Sequence, residues 1–316
     1  MPDYSIFGDC LSSELTFSDL RPSVGAAPRW TLRLAANAGA SEGAVIGEMI
    51  NPPCAIRLRK NDKSFRLSHS CTAEYDVSHN GLSIICAPLP AAEAESLRYD
   101  IANRVMAIAL HAGGALCLHG SAVKLRQGVV GFLAPKGYGK STLASALLRA
   151  GAHLVTDDML VVELGRQPMA LPGIFGLRLR DDSAHKLLTG EFLTRRGVDG
   201  KHVVETLNDD RVMLEKAPLT AIYVLQPVPF IPGDRLLKRA RLAPRQAAME
   251  IITHNRIAPL LGATEAPTLI HRATALATGA PVFRLQVARD LEHLDGVVDQ
   301  LLEWHGAELR CELATV

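Results

Sequence analysis

Residues 128–151, GVVGFLAPKGYGKSTLASALLRAG, hold the side chains whose types and spacing point most directly to chemistry. Within them, Ala134-Pro-Lys-Gly-Tyr-Gly-Lys-Ser141 has the spacing of a phosphate-binding loop, with alanine in place of the usual opening glycine. Gly137 and Gly139 let the backbone turn successive N–H groups inward, which makes a concave anion nest. Lys140 is placed to reach the β and γ phosphates as a point charge, and the Ser141 hydroxyl is a ligand type suited to magnesium. An apolar strand over 129–133 leads into the loop, and an Ala- and Leu-rich helix follows, its positive end turned to the phosphates and Gly151 closing it. The nucleotide contacts expected from this pattern are Pro135, Lys136, Gly137, Tyr138, Gly139, Lys140, Ser141 and Thr142.

Sixteen residues beyond Ser141 comes the pair Asp157-Asp158, at the end of the apolar run HLVT. A parallel strand beside the loop strand would carry both carboxylates to the sheet edge where open α/β sheets place their ligands. One carboxylate then suits a magnesium ion, and the other can accept the proton of an attacking hydroxyl. A solvated acidic turn is the bland alternative. His119, in LHGSAV one strand ahead of the loop, is positioned to orient a neighbour or relay a proton, although a lone histidine is more often structural.

The elements that must hold these residues follow from periodicity. Residues 1–90 favour short strands at 30–34, 55–60, 64–69 and 82–87, each bounded by turn formers. From 91 to 112 the apolar spacing of Leu97, Ile101, Val105 and Ile108 becomes helical and Gly113-Gly114 ends it. Strand and helix then alternate through 115–125, 129–133, the loop helix, 153–156 and 221–226, which predicts an α/β core. The organisation expected is a β-rich domain over 1–90, a connecting helix over 91–112 and a catalytic domain over 113–316. Residues 181–211 are charged and punctuated by glycine, the composition of a lid or mobile loop. The basic run Arg235, Lys238, Arg239, Arg241 and Arg245 reads either as a receiver for an acidic substrate or as a solvated entry to the helix after it. A last helix over 290–306 carries Leu291, Leu294, Val298, Leu301 and Leu302 on one face.

Composition narrows the function classes. With 48% hydrophobic and 21% charged residues the chain is an ordinary globular protein, and its 316 residues suggest about two domains. Lys and Arg (34) almost cancel Asp and Glu (33), which argues against bulk attraction to nucleic acid. The longest apolar stretch, 101–118, is broken by Asn103, Arg104 and His111, so no membrane span is expected. MPDYSIFGDC lacks the basic start of a signal peptide, and six scattered cysteines without a CxxC motif suggest reduced, buried thiols and a cytoplasmic setting.

Together LHGSAV, the phosphate loop and LVTDD resemble, in order and spacing, the catalytic domain of HPr kinase/phosphorylase, a bacterial protein-serine kinase. The resemblance spans about residues 113–300, with specific motifs only in 118–158. PLTAIYVLQP, GAPVFRLQVARDLEHL and the β-rich start look like the divergent HPr-kinase-related proteins of peptide-modification systems, including lasso-peptide precursor kinases. It implies an α/β fold with a P-loop kinase core of the HPr kinase and phosphoenolpyruvate carboxykinase type behind a β-rich N-terminal domain. It also implies an ATP- and Mg2+-dependent serine kinase acting on a precursor peptide, with no nucleic acid or membrane partner; a homo-oligomer is compatible with it. Catalytic roles would fall to Asp157 as base, His119 and Lys140, and metal binding to Ser141 and Asp158. A kinase of a small carrier protein like HPr or of a small metabolite stays open, as does a nucleotide sensor that transfers nothing. The chain departs from the family after the Asp pair, where LPGIFGLRLR (171–180) has no glutamate; this weakens any reverse phosphorylase activity and leaves Arg178 or Arg180 as phosphate-facing candidates.

Overall fold

A computed structural model describes residues 1–37, 43–174, 177–179, 194–196, 202–204 and 211–306. The protein is mixed α/β with two large sheets. It divides into two compact units: Met1–Cys117 with Asn255–Arg272, and Leu118–His254 with Ala273–Val316.

The first unit is built on a nine-stranded sheet. Its strands are β1 (Asp3–Ile6), β2 (Asp9–Ser13), β3 (Arg21–Pro22), β4 (Trp30–Leu34), β5 (Ala44–Asn51), β6 (Cys54–Lys60), β7 (Ser64–His69), β8 (Ala73–Ser78) and β9 (Ser83–Pro88). They lie in the order β3-β1-β2-β4-β9-β8-β7-β6-β5, and β5 to β9 form an antiparallel meander. Alternate residues of β7 and β8, including Phe65, Leu67, Tyr75 and Val77, are buried, the period of a strand with one covered face. Helix α1 (Ala94–Asp100) continues through a π-helical turn (Ile101–Val105) into α2 (Met106–Ala112), so the helix expected over 91–112 forms with an irregularity at its centre. The segment Asn255–Arg272 returns to this unit. Its 3-10 turn Ala258–Leu260 lies so close to β5 that a Cβ at Gly47 would collide with the Leu260 carbonyl.

One expectation fails here. Cys54 and Cys71 form a disulfide, with Cα atoms 5.7 Å apart, so this pair is not two reduced thiols. Cys10, Cys86 and Cys117 are free and buried, and burial pushes the thiols of Cys86 and Cys117 up to about 12.

The second unit holds an eight-stranded sheet. Its strands are β10 (Leu116–Leu125), β11 (Gly128–Leu133), β12 (His153–Thr156), β13 (Met159–Glu163), β14 (Met169–Ala170), β18 (Ala217–Val228), β19 (Leu237–Arg241) and β20 (Val282–Ala288). Between β14 and β18 in sequence, β15 (Leu177–Leu179), β16 (Thr194–Arg196) and β17 (His202–Val204) make a separate small sheet. The large sheet runs β11-β10-β13-β14-β18-β20-β19, and a further pairing of β11 with β18 closes five strands into a ring. All six residues of β11 are buried, as in a strand covered on both faces. Helix α3 (Lys140–Arg149) buries Leu143, Ala144, Leu147 and Leu148 in one cluster with Val130, Phe132, Tyr223 and Leu285 of the sheet. The same cluster takes Val297, Val298, Leu301 and Leu302 from the last helix, here α6 (Leu294–Trp304), as its apolar face requires. Helices α4 (Pro244–Thr253) and α5 (Ala266–Gly279) complete the set.

The basic run expected as a helix entry contains the strand β19, which pairs antiparallel with β20 and is the last strand of the sheet among the described residues. Apart from the strands β16 and β17 and Arg211, the segment 181–211 lies outside the described residues, as does Arg180. Arg178 lies on β15. Among the described residues no helix is long and apolar enough to cross a membrane.

Candidate functional site

The glycine loop joins the end of β11 to the start of α3, as the sequence predicts. Pro135 to Gly139 are exposed, whereas Lys140 is buried and Ser141 and Thr142 half-buried. Gly137 and Gly139 both adopt φ of 90°, a left-handed conformation that side-chain-bearing residues adopt at a cost. Gly139 caps α3 from this conformation. Lys140 folds back over the loop, donating to the carbonyls of Ala134 (2.6 Å) and Pro135 (3.2 Å).

The aspartate pair reaches the loop by a different route from the one expected. β12 is not the neighbour of β11: it pairs antiparallel with β10, and β10 pairs antiparallel with β11. β11 and β12 therefore run in the same direction with β10 between them, and both chains leave the sheet at one edge. The register sets Gly120 opposite Leu133 and Ala122 opposite Thr156, so His119-Gly120-Ser121 lies directly between the loop and the aspartates. His119 and Ser121 are two apart on a strand and share a face. Gly120 turns to the other face, where a Cβ would stand 2.7 Å from Leu133 Cδ2 and 2.8 Å from the Phe132 carbonyl oxygen. The His-Gly-Ser order thus lets β10 lie close against β11 while presenting two polar side chains to one place.

That place is a connected polar cluster. Asp157 Oδ1 accepts hydrogen bonds from Ser141 Oγ (2.9 Å) and Ser121 Oγ (2.5 Å). His119 lies between Lys140 and Asp158: its Nε2 is 3.3 Å from Lys140 Nζ and its Nδ1 is 3.2 Å from Asp158 Oδ1. Asp157 and Ser121 are buried, and Asp158 has a φ of 83°, strained for a residue with a side chain. Every catalytic and metal residue expected from the sequence, namely His119, Lys140, Ser141, Asp157 and Asp158, is in this cluster.

Two neighbours went unread in the sequence. Ser121 carried a usable signal, since it stands two residues from His119 on a strand. His254 carried none. Its carbonyl, just past the end of α4, accepts the His119 N–H at 2.7 Å, and its Nε2 is 3.8 Å from Glu250 Oε2. Burial lowers the His254 pKa from its ordinary value, Glu250 opposes this, and the charges of Lys140 and His119 lower it further.

In chemical terms, the cluster offers an anion nest with a cation at its rim, and a buried carboxylate beside a hydroxyl. Ser141 Oγ and Asp157 Oδ1 are hard oxygen donors already in contact, a donor set that fits magnesium. Of the basic run, Arg239 is committed elsewhere: its guanidinium lies over Trp304 (4.3 Å) and donates to Tyr223 Oη. Lys238 and Arg241 on β19 are exposed.

No protein-family model matches the chain, and no curated protein matches it. Among solved structures it is similar to the Hpr(Ser) kinase/phosphatase from Coxiella burnetii, at 13% identity over 60% of this chain and 95% of that one, with a TM-score of 0.32. A likeness of that degree decides neither the chemistry nor the acceptor.

Proposed function

We propose that this chain is a kinase that passes the γ-phosphate of ATP to a hydroxyl group. The observation that carries the reading is the convergence of the loop serine and an aspartate on one atom: Ser141 Oγ to Asp157 Oδ1 at 2.9 Å, with Lys140 and His119 adjoining. The loop amides and Lys140 would bind the phosphates, and Ser141 with Asp157 would hold magnesium. When bound, that ion neutralises charge on the transferring group. The distances favour exchanging the roles first assigned to the two aspartates. Asp157 belongs with Ser141 on the metal side. Asp158, oriented by His119, is the better base for the acceptor.

The chemistry then balances simply. The acceptor oxygen forms its bond to phosphorus as the bond to the ADP oxygen breaks, and the hydroxyl proton passes to Asp158. Alignment and charge neutralisation do most of the work, since phosphoryl transfer needs little covalent help from protein groups. Exposure of Pro135 to Gly139 leaves the nest open to nucleotide.

For the acceptor, the motifs quoted above favour a peptide serine, and most specifically the C-terminal serine of a lasso-peptide precursor. The setting expected is cytoplasmic. Exposed Lys238 and Arg241 on the outermost strand are suited to an acidic acceptor. The test is ADP release from ATP and magnesium with and without a peptide ending in serine. Acceptor-dependent release supports the kinase. Equal release in both, or none with ATP bound, moves the chain to an ATPase or a nucleotide sensor.

A further inference from the structure

The first unit contains a second cluster with ligating chemistry, remote in sequence from the glycine loop. Cys54 opens β6, His69 ends β7, and Cys71 follows in the turn after it. Their register is fixed by the pairing of Ile56 with His69. The two sulphur atoms and one ring nitrogen of His69 all lie within 4.8 Å of one another. A tetrahedral zinc ion with Zn–S of about 2.3 Å and Zn–N of about 2.0–2.1 Å sets its ligand atoms roughly 3.5–3.8 Å apart. Opening the S–S bond would free both cysteine side chains to rotate toward that spacing.

A covalent staple between neighbouring strands needs only two sulphurs. Here the imidazole is prepared as well. His69 Nδ1 accepts the Cys71 N–H at 3.3 Å, which places the ring proton on Nε2; a metal at Nδ1 would take over the lone pair that this bond uses. Nε2 faces Asp100 Oδ2 at 3.8 Å. Asp100 is itself buried and fixed, accepting from Thr72 Oγ1 at 2.6 Å and from Arg104 at 3.0 Å. A carboxylate behind the far nitrogen is the usual support of a metal-binding histidine. Ser70 Oγ is 3.8 Å from Cys71 Sγ, and the exposure of Cys71 leaves a fourth position to water.

We propose that Cys54, His69 and Cys71 form a redox-gated zinc site, closed as a disulfide when oxidised and ligating Zn2+ when reduced. Two thiolates and an imidazole are a donor set for zinc and not for magnesium or calcium. Opening requires a thiol reductant: two thiol molecules supply two electrons and two protons, leave as their own disulfide, and free both cysteines. Zinc then displaces the two cysteine protons to solvent.

The test uses the full chain, treated with dithiothreitol and desalted without oxygen. Zinc is measured after titration with zinc chloride and removal of excess. One zinc per chain is expected in the reduced protein and none in the oxidised one. Cys54→Ser and Cys71→Ser should abolish uptake, and His69→Gln should weaken it at least tenfold. Cys10→Ser, Cys86→Ser and Cys117→Ser should leave it unchanged. Cobalt(II) added to the reduced, unsubstituted protein should give thiolate charge-transfer absorption, a readout that does not depend on any variant folding. No stoichiometric zinc, no thiolate–cobalt band, or equal binding by folded Cys71→Ser and His69→Gln proteins would overturn the proposal.

Discussion

The Lys140 ammonium is held by the carbonyls of Ala134 and Pro135, and in the proposed kinase it would exchange these neutral acceptors for phosphate oxygens when nucleotide binds. On that proposal its contribution would lie with the charge of the transferring group. Lys140→Ala should cost at least about 3 kcal/mol of transition-state stabilisation, roughly a hundredfold in kcat/KM, read as ADP formation. The two aspartates should separate kinetically. Asp157→Asn should raise the magnesium concentration needed for half-maximal rate, because Ser141 loses its anionic partner. Asp158→Asn should lower kcat by about two orders of magnitude and leave the magnesium requirement in place, the effect expected of losing a general base. The histidines report on pH. Burial is the largest cause lowering the pKa values of His111, His254 and His305. The unfolded chain therefore binds their protons at higher pH than the folded one. Their stabilisation is full above the ordinary value of 6.5 and is lost as pH falls below it toward the lowered values. Urea midpoints should accordingly drop between about pH 7.5 and about pH 5.5, and a folded His254→Asn protein should show a shallower drop.

The strand β10 organises the site, because it is the element between the loop strand and the aspartate strand. Gly120 and Gly139 serve it for different reasons and should fail differently. A Cβ at Gly120 meets Leu133 and the Phe132 carbonyl, so Gly120→Ala should lower stability by about 1–3 kcal/mol, read from denaturant midpoints. At Gly139 a Cβ meets nothing within 4 Å, and the obstacle is the φ of 90° alone. Gly139→Ala should cost about 1–2 kcal/mol and weaken nucleotide binding by disturbing the nest. The sequence made this region legible because its signals are local: the loop spacing, the apolar run of β11 and the helix after it. The direction of β12 was legible for the same reason. Its partner was not, since an antiparallel strand entering between two parallel ones is a long-range pairing that leaves no mark in HLVTDD. The strand β19 was hidden by its charges. Only Leu237 of LKRAR is buried, an edge pattern that looks solvated when read alone. The disulfide between Cys54 and Cys71 was invisible because two cysteines seventeen residues apart declare no pairing until β6 and β7 fix their register.

Across the whole molecule, the chain passes between its two units three times, at 117/118, 254/255 and 272/273. Asn255–Arg272 supplies the first unit with Glu265, whose buried carboxylate pairs with Lys60 and His111, and with Arg272, which donates to the His111 carbonyl at 2.7 Å. Burial pushes the Glu265 pKa up, but the hydrogen bonds from Lys60 and His111 outweigh it and hold the carboxyl below its ordinary value. A fragment ending at Cys117 leaves Lys60 and His111 without that partner. It also loses the apolar cover of the buried Ile257, Leu260 and Leu269, so the fragment should lose cooperative unfolding, measured by circular dichroism in urea, while the full chain keeps it. With a formal net charge of +1, bulk charge supplies no strong field, so in the proposed kinase recognition of the acceptor would rest on local surfaces. The proposed phosphoryl transfer takes place at the cluster joining Ser141, Asp157, His119 and Lys140. Its most direct measurement is mass spectrometry of a serine-ending precursor peptide after incubation with the protein, ATP and magnesium, beside the Lys140→Ala and Asp157→Asn proteins. One added phosphate on a serine, formed far more slowly by Lys140→Ala and, at equal magnesium concentration, by Asp157→Asn, is the result expected; an unmodified peptide in the presence of bound ATP, or phosphate added at equal rates by the variants, would overturn it.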